Sequence, residues 1–376
     1  MSSYFAQQAQ KILRQADIEI NGSRPHDIQV HNEKLYAQIL RYGSIGLGEA
    51  YMEGWWDAKN LDVFFVKLLA AKLHRKVHGP ANMMAILKDR FLNDQNKKRS
   101  KRVAEQHYDY SNDFYEKVLD KRMLYTCGYW KHAKNLDEAQ DHKLELVCQK
   151  VSLKKGEKVL DLGCGWGSFS KYAAEKYGCE MTAVNISTEQ VRYVRESCKG
   201  FPVEVIHADY REALGPMMEG KFDKIVSIGM MEHVGFKNYR KLMELVHACL
   251  KDGGLFLLHT IGSNLSNALM DPWLDKYIFP GALLPSIKSI AASFEGLLVM
   301  EDWHNFGPDY DKTLLAWFHN LDKNWPELKK QYDEKTYRMW KYYLLACAAS
   351  FRVRENQLWQ VVLSKGGVPG GYQSIR

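Results

Sequence analysis

The sequence predicts an α/β fold, in which a mainly parallel sheet of seven strands carries helices on both faces and follows a small, mainly helical N-terminal domain. Two observations support this prediction. From residue 158 onward, apolar segments of strand length alternate with amphipathic segments of helical length, which is the pattern of a parallel sheet. The first strand of the series leads directly into a glycine-rich loop and then a helix, an arrangement typical of ligand sites in such sheets.

Seven segments have the apolar, β-branched character of strands, and amphipathic segments of helical length fill most of the intervals. The strands are predicted at 158–162, 180–185, 203–207, 223–228, 255–261, 297–303 and 357–363. The clearest helices are predicted at 168–177, 188–199 and 237–250. Ligands of open α/β sheets bind outside the carboxyl ends of the strands, so polar residues at those ends are candidate site residues.

The N-terminal part reads as a separate unit. Residues 1–75 are predicted to form a helical domain, 76–104 a basic linker interrupted by glycine and proline, and 105–376 the domain that contains the sheet. Trp55, Trp56, Phe64 and Phe65 lie in the N-terminal domain. Their large aromatic side chains fit an ordinary hydrophobic core, and they also fit an apolar surface that accepts acyl chains.

Charge is unevenly distributed along this chain of 376 residues, whose formal net charge is +7. Ten basic residues fall between Lys72 and Arg102, opposed there only by Asp89 and Asp94. Such a run fits a solvated linker, an anionic membrane surface or a nucleic acid. No nucleic-acid-reading motif accompanies it, which disfavours the last of these partners.

Other features of composition limit the class of protein. No apolar run approaches the roughly 20 residues that a membrane-spanning helix requires, and the first 16 residues lack the apolar segment of a signal peptide. The seven cysteines are odd in number and contain no C-x-x-C pair, which argues against a disulfide framework or a zinc site. A reducing, cytoplasmic compartment is the default expectation.

The loop after the first strand has the pattern D-x-G-x-G-x-G, with Asp161 followed by Gly163, Gly165 and Gly167. Glycines allow a ligand to approach the backbone closely. A plain turn is one alternative, and an NAD site is another, although Asn185 rather than an acid ends the next strand. A Walker loop is excluded because G-K-[ST] is absent. The loop looks like the nucleoside-binding loop of S-adenosylmethionine (SAM)-dependent methyltransferases.

A longer series of motifs resembles bacterial cyclopropane-fatty-acyl-phospholipid synthases, within the SAM-dependent methyltransferase superfamily. The resemblance runs nearly from end to end and implies a Rossmann-like, seven-stranded class I SAM methyltransferase fold. The matching segments are 46–56, 106–109, 125–130, 159–167, 186–190, 209–211, 231–234, 258–262, 300–310 and 358–362.

The resemblance also implies site residues. A bicarbonate ion bound in the active site would be held by the catalytic residues Cys127, Glu232, His259, Ile261 and Tyr310. SAM would be bound by Tyr108, Tyr129, Trp130, Asp161, Gly163, Gly165, Gly167, Asn185, Gln190, Asp209 and Tyr210. Taken singly, each residue has an ordinary structural explanation, since Cys127 and His259 could be satisfied core residues.

The implied activity is transfer of a methylene group from SAM to the cis double bond of an unsaturated phospholipid acyl chain, with bicarbonate as the base. The expected partners are phospholipid in a membrane bilayer and a second copy of the chain in a homodimer, with no nucleic acid and no metal. The expected location is the cytoplasm, peripherally attached to the inner face of the membrane. The alternative is a lipid or small-molecule methyltransferase that closes no ring.

Overall fold

A computed structural model describes residues 4–73, 110–266 and 270–376. The predicted linker 76–104 and the predicted SAM residue Tyr108 lie outside the described residues. The chain divides into two compact units. The helical unit contains the described residues of 4–73, 270–280 and 310–356, and the sheet unit contains those of 110–266, 281–309 and 357–376.

The secondary structure follows the alternation expected from the sequence. The helices are α1 Tyr4–Leu13, α2 Lys34–Tyr42, α3 Ser44–Met52, α4 Leu61–Ala70, α5 Asn112–Val118, α6 Leu136–Lys150, α7 Ser168–Tyr177, α8 Thr188–Ser197, α9 Tyr210–Ala213, α10 Tyr239–Cys249, α11 Pro272–Tyr277, α12 Ile287–Phe294, α13 Pro308–Leu328 and α14 Glu334–Arg352. The strands are β1 Gln29–Val30, β2 Trp56–Asp57, β3 Lys158–Leu162, β4 Glu180–Asn185, β5 Val203–His207, β6 Phe222–Ile228, β7 Leu250–Ser263, β8 Val299–Asn305 and β9 Asn356–Ser364.

The larger sheet of the described residues has seven strands in the order β5-β4-β3-β6-β7-β9-β8. The pairs β3–β4, β3–β6, β4–β5 and β6–β7 are parallel, and β8 pairs antiparallel with β9. This arrangement confirms the predicted fold class. Chain order reverses direction at β3, with β4 on one side and β6 on the other, and ligands of such sheets bind at this switch point.

The sheet is buried on both sides, as a parallel sheet must be when helices cover both faces. Leu160 of β3 and Ile225 of β6 lie in one apolar cluster with α10 and α12. Val159 of β3 and Val226 of β6 point to the other side and pack with α6 and α7. Successive strand residues therefore supply opposite cores, and the carboxyl ends are held rigidly at one edge.

The helical unit has an aromatic core. Trp56, Phe64 and Phe65 are 0 to 4% exposed, and the rings of Phe65 and Tyr342 lie 4.9 Å apart at their centroids. Burial of one such side chain contributes roughly 2–3 kcal/mol. The core alternative is therefore correct for these three aromatic residues, while Trp55 is only half-buried.

The two compact units differ from the predicted domain division. Residues 270–280 and 310–356 were assigned to the domain 105–376, yet they belong to the helical unit. The physical reason is the packing of α14 on α3 and α4, which includes Arg338 over the ring of Tyr51 at 4.1 Å. The same guanidinium donates to the Trp56 carbonyl and to Asp57. Among the described residues, no helix is long and apolar enough to cross a membrane.

Candidate active site

The glycine loop joins β3 to α7, and its three glycines have different surroundings. Gly163, Gly165 and Gly167 all have positive φ, at 77°, 54° and 79°, which glycine adopts without a steric cost. A Cβ at Gly163 would lie 3.0 Å from Met230, and one at Gly167 would lie 2.7 Å from Val194. A Cβ at Gly165 would meet no protein atom within 4 Å. Gly165 therefore faces the open side of the loop, where a ligand can approach.

Asn185 connects this loop to the next crossover. Its Nδ2 donates to the carbonyl of Gly165 at 3.0 Å and to Oε1 of Gln190 at 2.9 Å. Its Oδ1 accepts from the backbone N–H of Ser187, whose side chain caps α8. The amide nitrogen of Gln190 is buried without a hydrogen-bond partner. Asn185 thus links the side chain of Gln190, whose amide nitrogen is an unused donor, to the predicted SAM loop.

The two predicted acidic SAM ligands already have partners within the protein. Asp161 is 2% exposed and accepts a 2.7 Å hydrogen bond from Ser170 of α7. Burial raises its pKa to about 7. Both oxygens of Asp209 accept from the guanidinium of Arg211, at 2.7 and 2.6 Å. A ligand amine would have to share the Asp209 carboxylate with Arg211, and the predicted contacts of these acids with SAM stay predictions.

The aromatic residues predicted to bind SAM, Tyr129, Trp130 and Tyr210, lie in the sheet unit, and each has different surroundings. The ring of Tyr129 packs edge-on against His304 and Phe306, with centroids 5.8 and 5.3 Å apart. The backbone N–H of Trp130 donates to Asp309 at 2.8 Å. The hydroxyl of Tyr210 is buried without a partner, and burial raises its pKa to about 12.

Three segments that contain predicted catalytic residues meet at the carboxyl ends of β6 and β7. Ile228 pairs with His259 across the strands, and the N–H of Gly229 donates to the His259 carbonyl at 2.9 Å. A Cβ at Gly229 would lie 2.8 Å from the methyl group of Thr126, the residue before Cys127. Absence of a side chain at Gly229 lets the segment of Cys127 approach the two strand ends.

Glu232 lies just beyond β6 and is almost fully buried. Its Oε1 accepts a 2.7 Å hydrogen bond from the backbone N–H of Ile261, whereas its Oε2 is buried without a partner. Burial raises the pKa of Glu232 from 4.5 to about 7. The predicted Ile261 donor is therefore engaged by Glu232, and the free carboxylate oxygen is the acceptor that remains.

His259 is 1% exposed and also has one unused ring nitrogen. Its Nδ1 lies 3.3 Å from the amide nitrogen of Gln360, and its Nε2 is buried without a partner. Burial, together with the charges of Lys143 and Lys150, lowers the pKa of His259 well below its ordinary value. The imidazole is therefore neutral at physiological pH.

The fifth predicted ligand, Tyr310, belongs to the helical unit. Its ring packs against Trp317 and Phe351, with centroids 6.0 and 4.6 Å apart. The other four predicted ligands, Cys127, Glu232, His259 and Ile261, belong to the sheet unit. The common role of all five residues stays a prediction.

The donors and acceptors of the sheet unit fit a small oxyanion such as bicarbonate. Glu232 Oε2 and His259 Nε2 are orphaned buried atoms, which are costly unless a ligand or water satisfies them. The Cys127 thiol is fully buried beside the same strand ends and donates to the Gly128 carbonyl at 3.1 Å, so it would have to turn from that carbonyl to reach an anion. An ion that carries both a proton to donate and oxygens to accept can bond to a carboxylate, a ring N–H and a thiol together.

Sequence reasoning missed a buried lysine in this region. Lys143 of α6 is 0% exposed, and its Nζ donates to Thr126 Oγ1 at 2.8 Å. Burial lowers its pKa to about 8, while Asp120, Cys127 and Asp161 oppose that shift. The only signal in the sequence was a lysine directly before Leu144 and one helical turn before Val147, which is a weak indication of burial.

The helical unit has a cavity of about 290 Å³ that contains none of the predicted site residues. Its charged lining residues are already paired, because Glu49 accepts from Lys276 and Tyr277, and Glu53 accepts from Lys335. The lining residues are Gln38, Glu49, Ala50, Met52, Glu53, Trp55, Tyr277 and Lys335.

Comparison with known proteins agrees with this geometry. Residues 95–361 match the model of the family described as mycolic acid cyclopropane synthetase. The chain belongs to this family. It is 48% identical to the cyclopropane-fatty-acyl-phospholipid synthase of Escherichia coli, over 95% of this chain and 93% of that protein. The resemblance stated from the sequence motifs is confirmed.

Two further proteins, one of them a solved structure, are also similar to this chain. A probable fatty acid methyltransferase of Pseudomonas putida is 34% identical, over 69% of this chain and 68% of that protein. The crystal structure of a mycolic acid cyclopropane synthase complexed with SAH and CTAB is 29% identical, with a TM-score of 0.64 over 70% of this chain and 98% of that one. The fold is that of the class I SAM-dependent methyltransferases.

Proposed function

We propose that this enzyme transfers a methylene group from SAM to the cis double bond of unsaturated phospholipid acyl chains and so forms a cyclopropane ring. The observation that carries the proposal is the 48% identity to a cyclopropane-fatty-acyl-phospholipid synthase along 95% of the chain. The open side of Gly165 and the orphaned atoms of Glu232 and His259 support it independently.

The chemistry sets requirements that these residues can meet. SAM supplies an electrophilic methyl group, and the π electrons of the alkene form the new C–C bond as the methyl–sulfur bond breaks. The cation left on the acyl chain loses a proton from the new methyl group, and that C–H electron pair closes the ring. The loop at Gly165 has to hold the donor in line with the alkene. Buried surroundings exclude water, which would trap the cation.

We further propose that bicarbonate serves as the base. Bicarbonate, when bound, would remove the proton without offering the cation a strong nucleophile. Glu232 Oε2 would accept a hydrogen bond from it, and the pKa of about 7 suits a carboxylate that exchanges protons near neutral pH. His259 Nε2–H would donate to its oxygens, and the Cys127 thiol would do so by turning from the Gly128 carbonyl. Tyr310 would complete the set.

The remaining proposals concern assembly and location. Residues 1–75 and the basic segment between Lys72 and Arg102 would give access to phospholipid at an anionic bilayer surface, since ten basic residues lie in that segment. The aromatic residues Trp56, Phe64 and Phe65 do not support lipid access, because they are core residues. A homodimer, peripherally bound at the inner face of the cytoplasmic membrane, is the arrangement we propose.

A methyltransferase that closes no ring is the second candidate, and the relative described as a probable fatty acid methyltransferase favours it. Incubation of the enzyme with SAM and unsaturated phospholipid vesicles, followed by mass spectrometry and double-bond analysis, separates the two. A product with one added CH2 and no cyclopropane ring would support the second candidate. A cyclopropane product would support the first.

A further inference from the structure

Strand β9 carries a polar residue at a position where the surroundings are apolar. Gln360 is 0% exposed, and its chain neighbours Trp359, Val361 and Val362 are at most 1% exposed. Its Oε1 is buried without a partner. An unsatisfied buried acceptor costs free energy that a methionine or leucine of similar size would not. Packing alone therefore does not explain a glutamine here.

The contact that Gln360 makes is with His259 of β7, the neighbouring strand in the sheet. Its amide nitrogen lies 3.3 Å from Nδ1 of the imidazole. An amide NH2 group only donates, so Nδ1 has to accept with its lone pair. In a neutral imidazole the proton is then on Nε2, the ring nitrogen that is buried without a protein partner.

The charges around His259 keep the ring in the neutral form in which the choice of tautomer matters. Burial is the largest cause of its lowered pKa, and Lys143 and Lys150, both from α6, add to it. Both lysine side chains are fully buried. Phe306 packs edge-on against the imidazole, with ring centroids 5.9 Å apart, and limits its rotation.

We propose that Gln360 is a positioning residue, which holds His259 in the Nε2–H tautomer so that this N–H donates to the anion bound beside Glu232. The inference rests on the proposed bicarbonate site and extends it to a residue outside the ligand set. With the opposite tautomer, Nε2 would present a lone pair to the anion, and a hydrogen bond would become a repulsion.

Two substitutions change the tautomer in different ways. Gln360→Glu, once its carboxyl is ionised, accepts from Nδ1–H and so reverses the tautomer. It is therefore measured above the pKa of about 7 that burial gives to Glu232 and Asp161. Gln360→Met removes the preference while it keeps the volume. Gln357→Met is the matched control, because Gln357 is a buried glutamine of the same strand that accepts from Asn305 Nδ2 at 3.1 Å.

The experiment measures the ¹⁵N chemical shifts of His259 in full-length protein with labelled histidine, together with the bicarbonate dependence of turnover. We expect Nε2–H in the wild type and Nδ1–H in Gln360→Glu. The bicarbonate concentration at half-maximal rate should rise about tenfold in Gln360→Glu and about threefold in Gln360→Met, as for the loss of one hydrogen bond. SAM affinity should change less than twofold, and Gln357→Met should leave all these readouts unchanged.

The possible outcomes separate this inference from the proposed base. A wild-type His259 with the proton on Nδ1, or a Gln360→Glu variant with an unchanged tautomer, overturns the positioning role. Should Gln360→Glu fail to fold, the Gln360→Met variant decides by its loss of a single tautomer. A wild type whose turnover ignores bicarbonate refutes the bicarbonate proposal, whereas the tautomer measurement still decides the role of Gln360.

Discussion

Replacement of Glu232 by Gln has opposite consequences for turnover and for stability. The amide keeps the shape of the side chain, and its oxygen can still accept from the Ile261 N–H. Its NH2 group, however, places a donor at the position of Oε2, where an acceptor is required. Turnover should fall at least 100-fold, as is typical for loss of an acid–base group, while SAM affinity stays within about twofold because the glycine loop is untouched.

The effect on stability follows from the raised pKa of Glu232. An increase from 4.5 to about 7 corresponds to roughly 3 kcal/mol against the ionised carboxylate in the folded protein. The stability associated with the protonated carboxyl is fully present below pH 4.5 and is lost as pH rises to about 7. Since glutamine never ionises, Glu232→Gln should gain up to about 3 kcal/mol relative to wild type between pH 5 and pH 8.

The assay is denaturant unfolding at both pH values, beside turnover measured on vesicles. Glu244→Gln is the control, because that side chain is 45% exposed and its ion pair with Arg240 is a surface contact of little energy. Near wild-type turnover in Glu232→Gln would contradict the role of Glu232. If the difference in unfolding free energy between Glu232→Gln and wild type does not change with pH, the pKa of Glu232 is not raised by burial.

Three other predictions concern the SAM loop, the thiol and the membrane. Gly165→Ala should reduce SAM affinity at least tenfold in calorimetry, whereas Gly156→Ala, which also has positive φ and an open Cβ position, should destabilise equally and leave SAM affinity intact. Equal SAM affinity in both variants would refute the assignment of the loop. Cys127→Ser should keep more turnover than Glu232→Gln, because a hydroxyl replaces the thiol as a donor; an inactive serine variant would indicate a direct role of the sulfur. Charge reversal of the basic residues within 97–101 should weaken binding to anionic vesicles, most strongly at low salt, with SAM binding unchanged; binding that ignores these charges and salt would refute electrostatic attraction.

Local patterns in the sequence predict the sheet well, because strand and helix periods differ and the two ends of each element carry turn signals. β3, β4 and β5 have the predicted bounds, and the glycine loop lies where its motif indicates. The hydrophobic pattern limits the order of neighbouring strands to few arrangements, but it does not select one of them.

Features that depend on contacts between distant segments could not be read from the sequence. The grouping of α14 with α3 and α4 comes from aromatic packing across more than 250 residues. The hydrogen bond from the Ile261 N–H to Glu232 joins the ends of two strands and depends on side-chain geometry rather than on motif. Gln360 lay inside a recognised motif, yet its contact with His259 requires the alignment of β7 and β9.

The most direct test of the account uses SAM with a deuterated methyl group, phospholipid vesicles with a cis double bond, and buffers with and without bicarbonate. Mass spectrometry of the lipid should show one added CD2 unit and no remaining double bond, formed fast with bicarbonate and slowly without it. An acyl chain that retains a CD3 group would contradict ring closure, because no deuteron would have left the new methyl group. A rate that does not respond to bicarbonate would contradict the proposal that bicarbonate, held by Glu232, His259 and Cys127, is the base.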